Sequence, residues 1–382
     1  MGKGGAGAVA VVENRRFLGV RAESEEVLAG LGPESRAALR QFSFERLIGY
    51  GVEFSDAVEL RARVLDGQGW REAAGELASA CRERAEAVPG GPTCAAYLRR
   101  ASALTRMSQV MMLADTDERR AVYAHAVDLY ARAARISGGR EHFTVETGVG
   151  VLTGWRVDAG PDAVGAAVVV GGVEGWAMDF DAMGTALAER GIEAFLLDAP
   201  GQGESRMANG VYLGDGWLDA YRAVLDAVEA WMPGQPIGVV GNSMGGSFAM
   251  ALAAADTRIA ACVDNGGIVA PGAVPPEVGT FFTKMAAFCD RRDADEVRAV
   301  WADVDPAADG PNAGYPLLVL HGGLDPLVSD EMVQAVLERV PAGECELVVF
   351  SDGNHCVYNH REDRDLLVAD WMRARLAARG EK

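Results

Sequence analysis

The sequence predicts a mostly parallel, doubly wound α/β domain that follows an all-helical region. From about residue 33 to residue 137, apolar residues recur at three-to-four spacing, which is typical of amphipathic helices. From residue 140 onward, short apolar runs alternate with helical segments. Most of the later runs are unbroken Val, Leu, Ile and Ala stretches, as in strands buried on both faces of a parallel sheet. We therefore predict a flexible N-terminus over 1–22, a helical domain over 23–139 and an α/β domain over 140–382.

Turn signals divide the helical domain. The apolar periodicity predicts helices over 56–65, 70–87, 98–114 and 119–136. The Pro- and Gly-rich run at 88–92 separates two of them, and the acidic turn at 115–118 precedes the last one as its N-cap. The residues Ser-Gly-Gly at 137–139 end the domain.

Eight short apolar runs predict a sheet of about eight strands. They cover residues 142–145, 154–157, 166–170, 194–198, 237–241, 259–264, 317–320 and 347–350. The first two runs are expected to form an antiparallel edge. The long segment 271–309 is predicted to be helical and irregular, an insertion near the functional site.

Composition excludes several classes of function. Acidic residues outnumber basic ones, 55 to 36, and the net charge of −19 disfavours binding to nucleic acid or to an anionic membrane surface. The sequence contains no transmembrane stretch and no secretory signal, so we expect a cytoplasmic protein with a small-molecule substrate. The six cysteines show no zinc-site spacing, and nothing in the sequence indicates a metal or an organic cofactor.

The strongest chemical motif joins the predicted strand 237–241 to a helix that begins near residue 247. The run Gly241-Asn-Ser243-Met-Gly245 is a G-x-S-x-G pattern between strand and helix, the nucleophile elbow. Side chains at positions 241 or 245 would collide with the neighbouring strand or helix, and Ser243 would project into the site. The same pattern also occurs at Gly-rich strand-to-helix turns without catalysis, so its interpretation depends on the partners of the serine.

Suitable partners follow the last two predicted strands, in the order serine, acid, histidine that this architecture uses. Asp325 lies just beyond run 317–320 and His355 lies in the loop after run 347–350, both at carboxyl ends of strands. We predict Ser243 as nucleophile, His355 as general base and then acid, and Asp325 as the residue that orients the imidazole. The alternative acid is Asp352, and the alternative histidines are His321, His360 and His125.

The loop after run 166–170 is expected to complete an oxyanion hole. One donor should be the amide of Met244, directly after the nucleophile, and the second should be the amide of Val173. The next residue, Glu174, is an acid where negative charge develops. Two interpretations stay open: Glu174 turns away into a salt bridge, or it takes part in proton transfer.

Together these segments resemble the FrsA-like branch of α/β-hydrolases, and within it the 2,6-dihydropseudooxynicotine hydrolase group, with fungal polyketide-shortening hydrolases nearby. The resemblance covers nearly the whole chain. It rests on the runs 44–51 (Phe-Glu-Arg-Leu-Ile-Gly-Tyr-Gly), 98–102, 171–174, 198–204 (Asp-Ala-Pro-Gly-Gln-Gly-Glu), 241–246, 321–325 and 353–355.

The resemblance implies an α/β-hydrolase fold with a helical cap over the pocket, a Ser-His-Asp triad at the positions above, and a homodimer. It also implies that the acid of the Gly-Gly-x-Glu loop, here Glu174, assists catalysis. Some members cleave a carbon–carbon bond next to a ketone and others are esterases. The run 176–179, Trp-Ala-Met-Asp, departs from the Lys and acids often found there, so the identity of the substrate does not transfer.

Candidate substrate contacts are Trp176, Tyr212 and Trp217 after sheet loops, and Met107 and Met111 from the cap, although plain packing explains each of them equally well. Three classes of function remain. The first is a hydrolase of a carbon–carbon bond or an ester, acting on a small aromatic or polyketide-like molecule. The second is a biosynthetic enzyme that uses the same serine for acyl transfer, cyclisation or elimination. The third is a ligand-binding protein on a hydrolase fold.

Overall fold

The structure, a computed structural model, describes residues 19–21 and 23–380. Within these ranges, seven α-helices precede the first strand. They are α1 (Glu25–Ala29), α2 (Pro33–Gln41), α3 (Phe44–Gly49), α4 (Phe54–Leu65), α5 (Trp70–Glu86), α6 (Gly91–Gln109) and α7 (Asp117–Ser137). The flexible N-terminus predicted over 1–22 falls almost entirely outside the described residues. None of the helices in the described part of the chain has the length and apolar character needed to cross a membrane.

The helical domain is organised by side-chain caps and one apolar core. The hydroxyls of Ser43 and Thr116 accept hydrogen bonds from the first turns of α3 and α7, which sets where these helices begin. In the core, the indole of Trp70 donates to the carbonyl of Met107 over 2.9 Å and ties α5 to α6. This core continues to Cys356 and Tyr358 of the α/β domain, so the two regions share buried surface.

The sheet has eight strands, as predicted. They are β1 (Arg140–Thr147), β2 (Gly150–Val157), β3 (Gly165–Val170), β4 (Ile192–Asp198), β5 (Ile237–Asn242), β6 (Ile259–Asn265), β7 (Pro316–Gly322) and β8 (Glu344–Phe350). Their order is β1-β2-β4-β3-β5-β6-β7-β8. Strand β2 pairs antiparallel with both β1 and β4, and the remaining pairs are parallel, which confirms the predicted antiparallel edge.

Helices cover both faces of this sheet. They are α8 (Asp181–Ala188), α9 (Gly203–Met207), α10 (Trp217–Trp231), α11 (Met244–Ala255), α12 (Thr280–Phe288), α13 (Ala294–Ala302), α14 (Asp330–Arg339) and α15 (Arg361–Gly380), with 3-10 helices at Ala177–Phe180, Pro271–Ala273, Pro276–Val278 and His355–His360. Val168 lies between Phe195 and Val239 in the register of the sheet. Val168 packs into one apolar layer and Val169 into the opposite one, which explains the unbroken apolar runs.

Close packing and a buried ion pair join the helical domain to the edge of the sheet that carries the site. The rings of Tyr50 and Tyr358 meet edge to face at 5.4 Å between centroids. Arg106 on α6 donates through Nε to Asp179 over 2.8 Å, and through Nη2 to the carbonyl of Tyr50 over 3.0 Å. Gly49 lies so close to Tyr358 that an added Cβ would be 2.3 Å from its ring. The end of α3 is therefore positioned directly over the loop that bears His355.

Candidate active site

Ser243 stands on a strained turn between β5 and α11. Its backbone has φ +56° and ψ −133°, a conformation rare for a residue with a side chain, and its amide donates to the carbonyl of Asn265 over 2.8 Å. A Cβ at Gly241 would lie 2.2 Å from the carbonyl oxygen of Gly245, and one at Gly245 would lie 2.3 Å from that of Val170. The predicted need for glycine at both positions is confirmed.

The three predicted triad residues lie in one hydrogen-bonded line. His355 Nε2 is 2.9 Å from Ser243 Oγ, and His355 Nδ1 is 2.8 Å from Asp325 Oδ2. The second oxygen of Asp325 accepts from the amides of Leu327 and Val328, which fixes the carboxylate. Because a carboxylate only accepts hydrogen bonds, Nδ1 carries the proton and Nε2 is left to accept one from Ser243.

The alternative partners are engaged elsewhere. His321 bonds to Asp330 at 2.9 Å, and His360 bonds to Asp352 at 2.8 Å. His125 lies on the exposed side of α7. The geometry therefore selects His355 and Asp325 from the candidates that the sequence left open.

The local electrostatics suit a base that must hold a proton during turnover. Burial lowers the pKa of His355, but Cys356 and the Asp325 carboxylate outweigh it, and the net shift is upward. Burial raises the pKa of Asp325, while its hydrogen bond to His355 and the charge of the imidazolium lower it by more. Asp325 is thus ionised and stabilises the cationic form of His355.

A second strained turn positions the imidazole. Cys356 and Val357, directly after His355, both have φ +55°, which non-glycine residues rarely adopt. The carbonyl of Cys356 accepts from Asn265 Nδ2 at 3.1 Å and from Arg364 at 2.8 Å. The backbone carbonyl of Asn265 also accepts a hydrogen bond from the amide of Ser243. Asn265 therefore connects the turn of the nucleophile to the turn of the base.

The predicted oxyanion donors lie on two segments that touch. Met244 begins α11, and Val173 lies in the loop after β3 that lines the same cavity as Ser243. The buried amide of Gln202 holds this loop, because it donates to the carbonyls of Gly171 at 2.6 Å and Gly172 at 2.9 Å. The Gly-Gln-Gly-Glu motif therefore supports the oxyanion loop, a role that the sequence pattern did not assign.

Glu174 is surrounded by cations and amides. Arg46 donates to its Oε2 at 2.9 Å, Gln41 donates to the same oxygen, and Lys284 forms an ion pair with Oε1. Burial, followed by the charges of Arg46 and Arg119, lowers the pKa of Lys284. The ion pair with the Glu174 carboxylate opposes this shift, because it favours the charged amine. Of the two interpretations, this geometry matches the salt bridge.

The cavity in front of Ser243 has a volume of about 440 Å³. Helices α2 and α3 form its upper wall, with Gln41, Arg46 and Tyr50. Its apolar sides come from α12 and from the loop after β7: Phe281, Leu324, Pro326 and Leu327. Sequence reasoning missed these residues, although the lysine at position 284 in an otherwise apolar helix, one of three lysines in the chain, was an available signal.

The five predicted substrate contacts do not line this cavity, and that expectation is corrected. Trp176 and Trp217 are buried against Tyr123 and Tyr221, respectively. Tyr212 bonds to Asp115 and Arg120 beside a separate surface cleft. Met107 belongs to the apolar core of the helical domain, and Met111 is partly buried against that core. Buried aromatic and Met side chains contribute large packing energies. Core residues of these types therefore look like substrate contacts when only the sequence is considered.

Comparison with known proteins identifies relatives of this chain. Residues 161–292 match the Hydrolase_4 family, described as serine aminopeptidase, S33. The chain is 30% identical over 349 residues to 2,6-dihydropseudooxynicotine hydrolase of Paenarthrobacter nicotinovorans, covering 86% of this chain and 90% of the relative. The crystal structure of the 2,6-dihydroxy-pseudo-oxynicotine hydrolase superposes with a TM-score of 0.75 at 27% identity, covering 88% of this chain and 96% of the other. AbyA5 superposes with a TM-score of 0.63 at 19% identity, covering 83% and 94%, which is a likeness of fold alone.

The elbow, the sheet order and these likenesses define the class of protein: the chain is an α/β hydrolase. The sequence identity to the hydrolase of Paenarthrobacter nicotinovorans extends over nearly all of both proteins. The similarity therefore includes the helical domain as well as the α/β domain. The chain belongs to the family of the 2,6-dihydropseudooxynicotine hydrolase, as its motifs predicted.

Proposed function

We propose that this protein hydrolyses a carbonyl substrate through an acyl-enzyme on Ser243. The observation that carries the proposal is the unbroken line from Ser243 Oγ to His355 Nε2, 2.9 Å, and from His355 Nδ1 to Asp325 Oδ2, 2.8 Å, at the wall of a cavity. A hydroxyl becomes an effective nucleophile when a positioned base takes its proton, and the acid keeps that base in the right tautomer.

In the first step, His355 takes the proton of Ser243 as Oγ bonds to the carbonyl carbon. The π electrons move to the carbonyl oxygen, and the amides of Met244 and Val173 bind this alkoxide. Re-formation of the C=O double bond then breaks the bond to the leaving group. In an ester the leaving oxygen takes the proton from His355. In a β-diketone the electron pair leaves as an enolate, and the α-carbon takes that proton.

Water completes the cycle. His355 removes a proton from water, the oxygen bonds to the acyl carbon, and Ser243 leaves with the proton restored to it. The carboxylic acid and the free enzyme are the products. If another nucleophile on the substrate reaches the acyl carbon before water does, the same intermediate yields acyl transfer or cyclisation, the second class of function.

The shape of the cavity supports a small aromatic or polyketide-like substrate with a carbon–carbon or ester bond to be cleaved. About 440 Å³ falls within the usual range for small-molecule sites. Leu324 and Leu327 at its rim are 67% and 49% exposed, so an apolar substrate would cover apolar surface on entering.

Glu174 is proposed to hold charge rather than to transfer protons, because Arg46, Gln41 and Lys284 already occupy its carboxylate. Replacing Glu174 with Gln should lower stability, since Lys284 would lose its counter-charge. The pH midpoint of kcat should stay where it is. A shift of that midpoint would instead assign Glu174 to proton transfer.

The decisive experiment is labelling with a fluorophosphonate, followed by mass spectrometry of the labelled peptide. We expect one label on Ser243, and no label in Ser243→Ala together with a loss of ester turnover of about 10⁴-fold or more. Ser137→Ala, at the exposed end of α7, is the matched control and should behave as the parent protein. An unlabelled parent protein that still binds β-diketones would favour the ligand-binding class.

A second measurement separates hydrolysis from internal acyl transfer. Turnover in ¹⁸O-water should place one labelled oxygen in the carboxylic acid product. A product without the label, and with the mass of the substrate or of an eliminated fragment, would favour the biosynthetic class.

A further inference from the structure

The motif at 44–51 has no part in the mechanism above, yet it reaches the cavity. Arg46 and Tyr50 stand four residues apart on α3 and its C-terminal end, so they lie on one face. Both line the cavity that contains Ser243 and His355. The motif therefore supplies two polar groups to the cavity of the nucleophile.

The hydroxyl of Tyr50 is held in place from several directions. Arg46 donates to it through Nε at 3.3 Å and through Nη2 at 3.1 Å. The ring packs edge to face on Tyr358, and Arg106 binds the backbone carbonyl of Tyr50. An added Cβ at Gly175 would lie 3.2 Å from the hydroxyl, so the group sits beside the loop that carries the proposed oxyanion donor.

These contacts determine what the hydroxyl offers to a ligand. A phenol oxygen accepts hydrogen bonds through its lone pairs and donates one proton. The guanidinium of Arg46 is a donor only, so both of its N–H contacts use the accepting side of Tyr50. Among the acceptors in the described part of the chain, none receives the proton of Tyr50. The hydroxyl is thus an oriented donor at the wall of the cavity.

We propose that Tyr50, positioned by Arg46, binds the second oxygen of a 1,3-dicarbonyl substrate, the one that Ser243 does not attack. This inference rests on the proposed function and narrows its substrate class to β-diketones. When the bond between the acyl carbon and the α-carbon breaks, its electron pair forms the C=C bond of an enolate. The charge falls on the second oxygen, where the Tyr50 hydroxyl, polarised and oriented by Arg46, donates a hydrogen bond to it. The α-carbon then takes its proton from His355. A simple ester has no such oxygen.

The test compares two substrates in Tyr50→Phe: 1-phenyl-1,3-butanedione and p-nitrophenyl acetate. We expect kcat/KM for the diketone to fall at least tenfold more than kcat/KM for the ester. Tyr221→Phe is the matched control, because its hydroxyl is buried in the core of the sheet domain and has no hydrogen-bond partner in the described residues. The ratio of the two activities should be that of the parent enzyme in this control.

An equal fall on both substrates, or no fall on either, would overturn the role of Tyr50. The fraction of Ser243 labelled by the fluorophosphonate corrects each rate for misfolded protein. Arg46→Lys keeps the charge but loses the two-pronged contact, so it should lower the same ratio. A parent enzyme that labels at Ser243 and turns over the ester but not the diketone contradicts this inference alone. A parent enzyme that neither labels nor turns over either substrate contradicts the proposed function itself.

Discussion

The two walls of the cavity are built in different ways. The reacting wall carries Ser243 and His355, with Asp325 buried behind His355; the three residues follow β5, β8 and β7 at one edge of the sheet. The facing wall consists of Gln41, Arg46 and Tyr50, which come from the helical domain, 193 to 314 residues earlier in the chain. Backbone hydrogen bonds between parallel strands bring the first set together, whereas side-chain packing between two regions brings the second.

Because of this difference, we expect the reacting wall to determine the chemistry and the facing wall to determine which substrates are preferred. The ends of paired strands are held by the ladder of the sheet, so residues that follow them have little freedom to move apart. The facing wall depends on a few buried contacts, chiefly the Arg106–Asp179 ion pair and the packing of Tyr50 on Tyr358. Changes in the reacting wall should therefore abolish turnover on all substrates, and changes in the facing wall should alter stability and substrate preference.

The largest effect in this comparison is expected for Asp325→Asn in the reacting wall. The amide no longer holds the imidazole in the right tautomer or stabilises the imidazolium, so ester kcat should fall about 10⁴-fold. Because the carboxylate raises the pKa of His355, its loss should also move the midpoint of the kcat/KM profile to lower pH. A pH–rate profile with an unmoved midpoint would contradict the proposed pairing.

Arg106→Met tests how the facing wall is held. Both partners of the Arg106–Asp179 pair are less than 5% exposed, and removing the cation leaves Asp179 buried without its charge partner. We expect the free energy of unfolding to drop by about 3–5 kcal/mol in urea titrations. Adding Asp179→Asn to the same chain should recover part of this loss. A double variant as unstable as the single one would show that packing, rather than the buried charge, explains the drop.

Gly172→Ala tests the contact between the oxyanion loop and the nucleophile. The new Cβ would lie 2.7 Å from the Cβ of Ser243, so the loop or the serine must move. The rate of acylation in a p-nitrophenyl acetate burst should fall about 10²-fold, the usual cost of misplacing an oxyanion donor. Gly214→Ala, where an added Cβ meets no atom within 4 Å, is the control and should keep the parent burst.

The smallest effect is expected for Tyr212→Phe, outside both walls. Its hydroxyl donates to Asp115 over 3.0 Å in a separate cleft. We expect about 1 kcal/mol of destabilisation and a kcat/KM within about twofold of the parent value. A tenfold rise in KM would indicate that Tyr212 contacts the substrate after all.

Much of the site was visible in the sequence because its signals are local. The glycines that a strained turn requires indicated Ser243. The positions directly after buried strands indicated Asp325 and His355. Tyr50 and Arg46 lie within the motif at 44–51, but nothing in the pattern of this motif indicated that they line the cavity of the nucleophile. Trp176, Trp217 and Met107, which were assigned to the substrate, proved to be core, since apolar character alone does not distinguish a core from a cavity. The homodimer, the domain boundaries and the cytoplasmic location stay predictions.

Periodicity, turn residues and the order of motifs along the chain were enough to establish the eight-stranded α/β architecture, the helical domain and the identity of the three triad candidates. Such signals depend on neighbours a few residues apart, and each short segment carries them independently. The hydrogen bond of His360 to Asp352, the ion pairs of Glu174 and the composition of the facing wall emerged only from the folded chain. The last two depend on which side chains meet across more than a hundred residues of sequence, and that is set by the packing of the helical domain on the sheet rather than by any local pattern.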